Sequence, residues 1–277
     1  MSLFMQTNVS SMEAQKNLGF NQGQLQLSFN RLSSGFRINS AKDDAAGLAI
    51  SENLKSQVRS FAVAERNASD GISMAQTAEG SLGEVHNILG RMRELAVQAS
   101  NGSLTGTDRG FLQQEFSQLQ AEITRIQGSA KFNGKVLLGA TANTITLQVG
   151  LDAVSSDQIK VTLGGVSLAT ISGSGVALAG TTEAGALASL STIDGAIAAV
   201  STARSSFGAT MNRLEMAQSN IQTMRLNLSG ANSRIRDVDV AGETAQMSRN
   251  QVLSQAGLAV LSQANQLPQQ ALRLLQG

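Results

Sequence analysis

Apolar residues in the first third of the chain recur at alternating steps of three and four. They are Leu82, Val85, Leu89, Met92, Ala96 and Ala99. This spacing is typical of a coiled-coil seam, in which one stripe of a helix faces another helix. The pattern predicts a long helix from about residue 45 to about residue 100.

The stretch "NGSLTGTD" (101–108) interrupts this pattern with two glycines and supplies capping residues for a third helix. The apolar positions of that helix are Phe111, Leu112, Phe116, Leu119, Ile123 and Ile126. A short loop between two helices makes them antiparallel neighbours.

Beyond Asn133-Gly134 the apolar period changes to two, which indicates short strands or hairpins within about residues 134–182. The alternating residues are Ile145, Leu147 and Val149, then Ile159, Val161 and Leu163.

Helical spacing returns after residue 182 and predicts a second long helix that packs against the first. Its apolar positions run from Ile193 through Val200, Phe207, Leu214, Ile221 and Leu228 to Val238. The predicted fold is therefore mainly α. A long antiparallel helical bundle or coiled coil is formed by both chain ends, with a small β-hairpin-rich middle segment.

Composition argues against an enzyme. The 277 residues include no Cys, Tyr or Trp and one His, and the net charge is +1. Disulfides and thiolate zinc sites are excluded, and the charge gives no reason to expect a nucleic-acid partner. His86 has no second histidine at zinc-ligand spacing, and Asp43-Asp44 lacks further carboxylates, so we expect no catalytic residues, cofactor or metal.

We expect neither a cleaved leader nor membrane insertion. Residues 1–11 show no basic segment or long apolar run, and no later apolar run approaches the roughly 18 residues of a membrane span. Peripheral membrane binding through amphipathic ends is a weaker hypothesis, because the polar faces lack the Lys and Arg that bind anionic lipid.

Both chain ends are amphipathic but poor in charge. Residues 1–30 and 250–277 carry three charges in 58 positions, where the 15% average would give about nine. Their apolar residues include Leu18, Leu25, Phe29, Leu32, Val252, Leu253, Ala256, Val260, Leu261 and Leu267. A lone soluble helix has a charged outer face, whereas a helix buried among other chains avoids unpaired ions. We expect buried assembly helices; the alternative is a pair of weakly soluble, partly disordered tails.

Long colinear blocks of the chain resemble bacterial flagellin, the flagellar filament subunit, over about residues 1–140 and 185–277. The blocks include "RLSSGFRINSAKDDAAGLAIS", "RNASDGISMAQTAEGSLGEV", "RMRELAVQAS" and "NSRIRDVDVAGETAQMSRNQVLSQAGLAVLSQANQLPQQALRLL". The resemblance implies a secreted subunit that self-assembles into the extracellular filament used for swimming. Because only about 45 residues separate the two matching regions, the chain is similar to a minimal flagellin with little or no outer variable domain. The alternative is a low-copy hook-filament junction or adhesin-like flagellar protein of the same architecture.

The resemblance also implies a domain organisation. Residues 1–43 with 237–277 would form the inner filament domain, and residues 44–236 the outer helical domain. Segment 33–46 and its counterpart Asn232–Glu243 would be the spoke joint between them, with Arg234 and Arg236 facing Asp43 and Asp44. Alternatively, these charges are solvated on a loop.

The partners implied by the resemblance are further copies of the chain, the flagellar export apparatus with an export chaperone, the filament cap and the hook-associated junction proteins. A last implied partner is the vertebrate Toll-like receptor for flagellin, whose recognition patch matches Arg91, Leu95 and Glu115. The alternative for these residues is an interhelical Arg-Glu pair beside a helix-flanking leucine, explained by packing alone.

Overall fold

The computed structural model describes residues 7–139, 141–164, 171, 176–178 and 184–276, with the backbone alone for 267–276. Within these residues the chain forms five α-helices and four short strands. They are α1 (Val9–Ser34), α2 (Ala45–Ala99), α3 (Gly106–Ser129), β1 (Lys131–Phe132), β2 (Lys135–Val136), β3 (Asn143–Gln148), β4 (Gln158–Leu163), α4 (Ala184–Arg236) and α5 (Val240–Gln276). The predicted fold class is confirmed: the chain is mainly helical, the helices of its two ends pack together, and a small β-segment lies in the middle of the chain.

The chain divides into two compact units. The first is Met1–Val58 with Leu226–Gly277, and the second is Arg59–Arg225. Because α2 and α4 are long, each contributes residues to both units. The inner and outer layers expected from the sequence refer to a polymer, so they remain a prediction at this point.

The core of the second unit follows the predicted seam of α2. All six seam residues are fully buried: Leu82, Val85, Leu89, Met92, Ala96 and Ala99. Burying such side chains contributes roughly 1.5–3 kcal/mol for each large one. The coiled-coil spacing of α2 is thus confirmed and forms the centre of this core.

The loop between α2 and α3 is fixed by capping interactions. Thr105 and Asp108 form a capping box at the start of α3, in which each side chain accepts a hydrogen bond from the other's backbone N–H. The buried guanidinium of Arg109 donates from Nε to the carbonyl of Ala99 at 2.9 Å, which satisfies the last turn of α2.

One apolar position of α3 does not face the core. Phe116 and Ile123 are buried as expected, but Phe111 is 68% exposed. Phe111 precedes Leu112 by one residue, about 100° around the helix, which takes it off the buried face.

The β-segment contains two antiparallel hairpins. Asn133 and Gly134 have φ values of 48° and 77° between β1 and β2, as a two-residue type I′ turn requires. In the second hairpin β3 pairs with β4 from Asn143↔Leu163 to Gln148↔Gln158. The apolar residues of β4, Ile159, Val161 and Leu163, are buried, so the alternation predicted from the sequence is confirmed. The expected β-rich range also covers residues 165–170, 172–175 and 179–182, which lie outside the described residues.

α4 packs antiparallel to α2 within the second unit. Three interhelical ion pairs show the direction: Arg93–Asp194 at 2.7 Å, Glu79–Arg204 at 2.6 Å and Glu65–Arg225 at 2.5 Å. Along the same part of the helix, the large buried apolar residues of α4 are Ile193, Val200, Phe207, Leu214 and Ile221. The packing of the two long helices is therefore as predicted.

α4 also contains an 18-residue window with a mean hydropathy of 1.3, long and apolar enough by composition to cross a membrane. The expectation that no later stretch approaches a membrane span is wrong for this helix, because its many alanines raise the mean hydropathy. Ile193, Ala196 and Val200 of α4 lie in the core of the second unit, so helix packing accounts for part of this apolar composition.

We predict that Gly71→Ala weakens the contact between the β3–β4 hairpin and α2. A Cβ at Gly71 would lie 2.3 Å from Cδ1 of Leu147, so this side chain must leave its packed position, at a cost of about 1–3 kcal/mol. Thermal unfolding measures the effect. Gly80→Ala on the same helix is the control, because nothing lies within 4 Å of its Cβ and the exchange should stabilise α2 slightly. Equal stability changes in the two variants would contradict this packing.

Candidate functional site

The two terminal helices form an antiparallel pair, here called the terminal helix pair (α1 and α5). Near one end Asn8 donates from Nδ2 to the carbonyl of Ala264 at 2.8 Å, and near the other Arg31 pairs with Glu243 at 3.6 Å. The Oδ1 of Asn8 also accepts from the Ser11 N–H at 3.0 Å, which caps α1. Gly35, with φ of 74°, ends α1 in the left-handed conformation.

The side chains between these helices recur at heptad spacing and are mostly small or polar. On α1 the buried or half-buried positions that follow this spacing are Ser11, Ala14, Leu18, Asn21, Leu25, Ser28 and Leu32. On α5 they are Glu243, Met247, Asn250, Ser254, Gly257, Leu261 and Ala264. We call these fourteen residues the terminal seam. Five further residues are half-buried off this spacing: Gln24, Leu27, Arg31, Ser34 and Thr244. Since stabilisation scales with the apolar area removed from water, this seam holds its helices weakly.

Large apolar side chains of the same helices point away from the seam. The exposed residues are Val9, Met12, Phe20 and Phe29 on α1, and Val240, Val252, Leu253, Leu258 and Val260 on α5. Phe20 is 67% exposed and Val252 is 64% exposed. Large apolar side chains exposed in this number make the pair a candidate interaction surface.

The structure divides the expected assembly residues into two groups. Leu18, Leu25, Leu32 and Leu261 lie half-buried in the terminal seam, whereas Phe29, Val252 and Leu253 are exposed. The side chain of Leu267 lies outside the described residues. Periodicity alone does not separate the groups, because both faces of these helices carry apolar residues.

Backbone hydrogen bonds hold the segment after α1 against the segment after α4. The N–H of Arg37 donates to the carbonyl of Arg236 at 2.6 Å, and the N–H of Val238 donates to the carbonyl of Gly35 at 3.0 Å. Ile38 is buried beside them, and a Cβ on Gly47 would lie only 2.7 Å from its Cδ1. This compact joint is built where the sequence places the spoke.

The acidic residues of the joint bind their own loop rather than the expected arginines. The Oδ2 of Asp43 accepts from the N–H and the Oγ–H of Ser40, both at 2.9 Å. These bonds, the backbone one first, hold the pKa of Asp43 below its usual value. Asp44 accepts from the Gly47 N–H at 2.8 Å and so caps the start of α2. The predicted pairing of Asp43 and Asp44 with Arg234 and Arg236 is wrong, because nearby amides satisfy both carboxylates first.

Arg236 has other partners across the joint. Its guanidinium binds the Glu52 carboxylate on α2 and stacks over the Phe36 ring at 4.7 Å. Among the residues that the structure describes, Arg234 makes no ion pair. Sequence reasoning does not identify Phe36 or Glu52, since nothing local in the sequence relates them to residue 236.

Arg91 and Glu115 join α2 to α3 on the surface of the second unit. The Nε of Arg91 donates to Oε1 of Glu115 at 2.8 Å, and its Nη1 donates to Oε2 of Glu94 at 2.9 Å. The bond to Glu115 is the main cause of a raised pKa at Arg91. Leu95, expected beside them on the surface, is only 1% exposed because α2 is covered on more than one side at this level. The expectation that Leu95 lies on the surface is therefore wrong.

Two family models match the chain. The model described as the bacterial flagellin N-terminal helical region matches residues 5–143, and the model described as the C-terminal helical region matches residues 190–275. A flagellin of Halalkalibacterium halodurans is 46% identical over 97% of this chain and 98% of its own length. The flagellar filament core protein flaB2 of Brachyspira hyodysenteriae is 38% identical over 99% of this chain and 100% of its own.

A solved structure of a putative flagellar hook-associated protein from Vibrio parahaemolyticus superposes with a TM-score of 0.59. It is 18% identical and covers 70% of this chain and 100% of that one, so it shows a common fold alone. The family matches and the filament proteins among the relatives support a structural filament subunit for motility rather than an enzyme. At 277 residues, with both helical regions and a short middle, the chain belongs to the bacterial flagellin family as a compact, minimal member.

Proposed function

We propose that the terminal helix pair is the surface through which filament subunits join, and that its helices are fully ordered only when neighbouring subunits cover them. The carrying observation is the inversion of its packing. Nine of the fourteen residues of the terminal seam are small or polar, while Phe20, Phe29 and Val252 are exposed.

The energies favour this coupling. Fixing one residue's backbone costs roughly 1–2 kcal/mol, and a seam with a few half-buried leucines among serine, asparagine, glycine and alanine offsets only part of that cost within one chain. Covering an outward Phe, Leu or Val side chain contributes roughly 1.5–3 kcal/mol, and nine such side chains are exposed on the pair. Neighbouring copies therefore supply the apolar contacts that the single chain lacks.

We also propose the layer assignment that the family resemblance implies. Residues 1–43 with 237–277 form the inner filament domain, residues 44–236 the outer helical domain, and Asp43, Asp44, Arg234 and Arg236 belong to the spoke joint. The support is the bridged joint at Gly35–Ile38, which connects segments on both sides of these boundaries.

The alternative, a low-copy junction or adhesin-like protein, differs in how assembly ends. A filament subunit adds to seeds without limit, whereas a junction protein stops after a ring. The relatives named as filament core proteins favour unlimited growth, and no observation favours the junction protein.

Export is proposed to proceed through the flagellar apparatus, without a cleaved signal peptide and with the help of an export chaperone. Cap and hook-associated junction proteins would then receive the chain at the filament. The sequence suits passage as an unfolded chain, because 277 residues contain no Cys and one Pro, so few slow steps delay refolding.

We predict that Phe20→Ser and Val252→Ser reduce elongation on filament seeds about tenfold or more while leaving the monomer's helix content unchanged. Both side chains are exposed in the single chain, so their loss removes contacts made only between subunits. Electron microscopy measures elongation and circular dichroism measures helix content. Asn17→Ser, an exposed polar position on α1, is the control. Normal elongation by both apolar variants would remove the proposal.

We further propose recognition of the monomer by the vertebrate Toll-like receptor for flagellin. The support is the sequence match at Arg91, Leu95 and Glu115, together with the exposed ion pair that brings Arg91 and Glu115 side by side. Since Leu95 is buried, its role would be to support the helix surface from below rather than to contact the receptor.

A receptor reporter assay on purified monomer tests this proposal. We expect Arg91→Ala and Glu115→Ala to lower signalling with unchanged helicity, since both groups lie on the surface. Arg125→Ala removes a similarly exposed ion pair, to Glu122 on α3, and should leave signalling unchanged. A silent wild-type monomer, or full signalling by both patch variants, is the contrary result.

A further inference from the structure

The terminal seam repeats itself every seven residues. The Cβ of Leu18 lies 4.0 Å from the position of a Cβ on Gly257, which sets the antiparallel alignment of α1 and α5. From that alignment the layers of the seam are Ser11 with Ala264, Ala14 with Leu261, Leu18 with Gly257, Asn21 with Ser254, Leu25 with Asn250, Ser28 with Met247, and Leu32 with Glu243. Three leucines of α1, spaced by seven, thus face small or polar residues of α5 that are also spaced by seven.

Sliding α1 by one heptad, about 10.5 Å, would keep most of this fit. Leu25 would then face Gly257, Leu18 would face Ala264, and Ser28 would face Ser254. Asn250 is 4% exposed, and its Nδ2 lacks a hydrogen-bond partner in the described structure. Because it faces a leucine in either register, it does not distinguish them. The middle of the seam therefore carries little information about register.

Polar contacts at the two ends of the pair differ between the registers. At one end Ser11, which is buried, donates from Oγ to Oδ1 of Asn265 at 2.8 Å. At the other end Arg31 pairs with Glu243, whose side chain is only 13% exposed. A slide of one heptad breaks both contacts and leaves the half-buried carboxylate and the hydroxyl without these partners, which is costly away from water.

We propose that these two end contacts, Ser11–Asn265 and Arg31–Glu243, act together with the backbone bonds of the joint to determine the register in which the terminal helices pair. The leucine layers hold the helices together in either alignment, and the polar contacts at the two ends of the pair favour the native one. A single polar contact fixing the alignment of a coiled coil is a known use of buried polarity.

Disulfide trapping measures the register directly, because the chain contains no cysteine of its own. Leu18→Cys with Gly257→Cys reports the native register, since 4.0 Å between Cβ positions suits a disulfide. Leu25→Cys with Gly257→Cys reports the slipped register, since these positions are one heptad apart in the native pair. Each cysteine pair is oxidised in dilute monomer, and the yield of intramolecular disulfide is compared.

We expect the native disulfide to exceed the slipped one at least about tenfold, the ratio that a single lost buried polar contact already implies. Adding Ser11→Ala and Arg31→Ala should lower this ratio about tenfold, and the backbone bonds of the joint account for any native preference that is left. The matched control is Gln26→Ala with Asn30→Ala, which removes an exposed hydrogen bond within α1 and should leave the ratio unchanged.

The charge-reversed pair Arg31→Glu with Glu243→Arg, in a chain that keeps Ser11, should restore the native preference; a general effect on helix stability would not produce that rescue. Equal yields with the end contacts intact, or an unchanged ratio after both are removed, would overturn the proposal.

A consequence for assembly rests on the proposed function. In a slipped pair, Phe20 is displaced by one heptad along the helix axis relative to Val252, so the two side chains no longer match the surface of a neighbouring subunit. The variant that lacks both end contacts should therefore elongate more slowly on seeds. If the disulfide ratio changes but elongation does not, the register inference stands and the role of the terminal pair in the filament is contradicted.

Discussion

The structure depends on how apolar surface is distributed along its terminal helices. In the second compact unit, large apolar side chains meet inside the chain, and the seam of α2 from Leu82 to Ala99 is fully buried. In the terminal helix pair most seam residues are small or polar, and Phe20, Phe29 and Val252 are exposed. On the proposed function, the second unit would be stable alone, while the terminal helix pair would gain its main stabilisation from other copies.

The low charge of the terminal helices follows from the same constraint. A residue that will be enclosed by neighbouring subunits cannot carry an unpaired ion without a large desolvation cost. Within the described seam the buried polar groups are neutral serine and asparagine side chains, and its one carboxylate, Glu243, is paired with Arg31. The joint can be richer in charge because Asp43 is exposed and satisfied by its own loop.

The sequence predicts contacts that arise from one helix's own periodicity better than contacts between distant segments. The α2 seam, the Asn133-Gly134 turn and the β3–β4 alternation are all present as predicted. Leu95 and the partners of Arg236 are not predictable in this way. Burial of Leu95 requires knowing that α2 is covered on more than one side, and Glu52 lies 184 positions from Arg236. Asp43 and Asp44 accept hydrogen bonds from backbone N–H groups of their own segment and do not pair with the arginines of the distant segment.

Hydrogen exchange on the monomer and on the filament tests the central claim most directly. We expect amides of α1 and α5 to exchange rapidly in a verified monomer, while amides of α2 between Leu82 and Ala99 exchange slowly, because only the latter lie over a complete core. In the filament the terminal amides should become as protected as those of α2. Protection of α1 and α5 in the monomer equal to that of α2 would contradict the account, since the terminal pair would then be stable without neighbours.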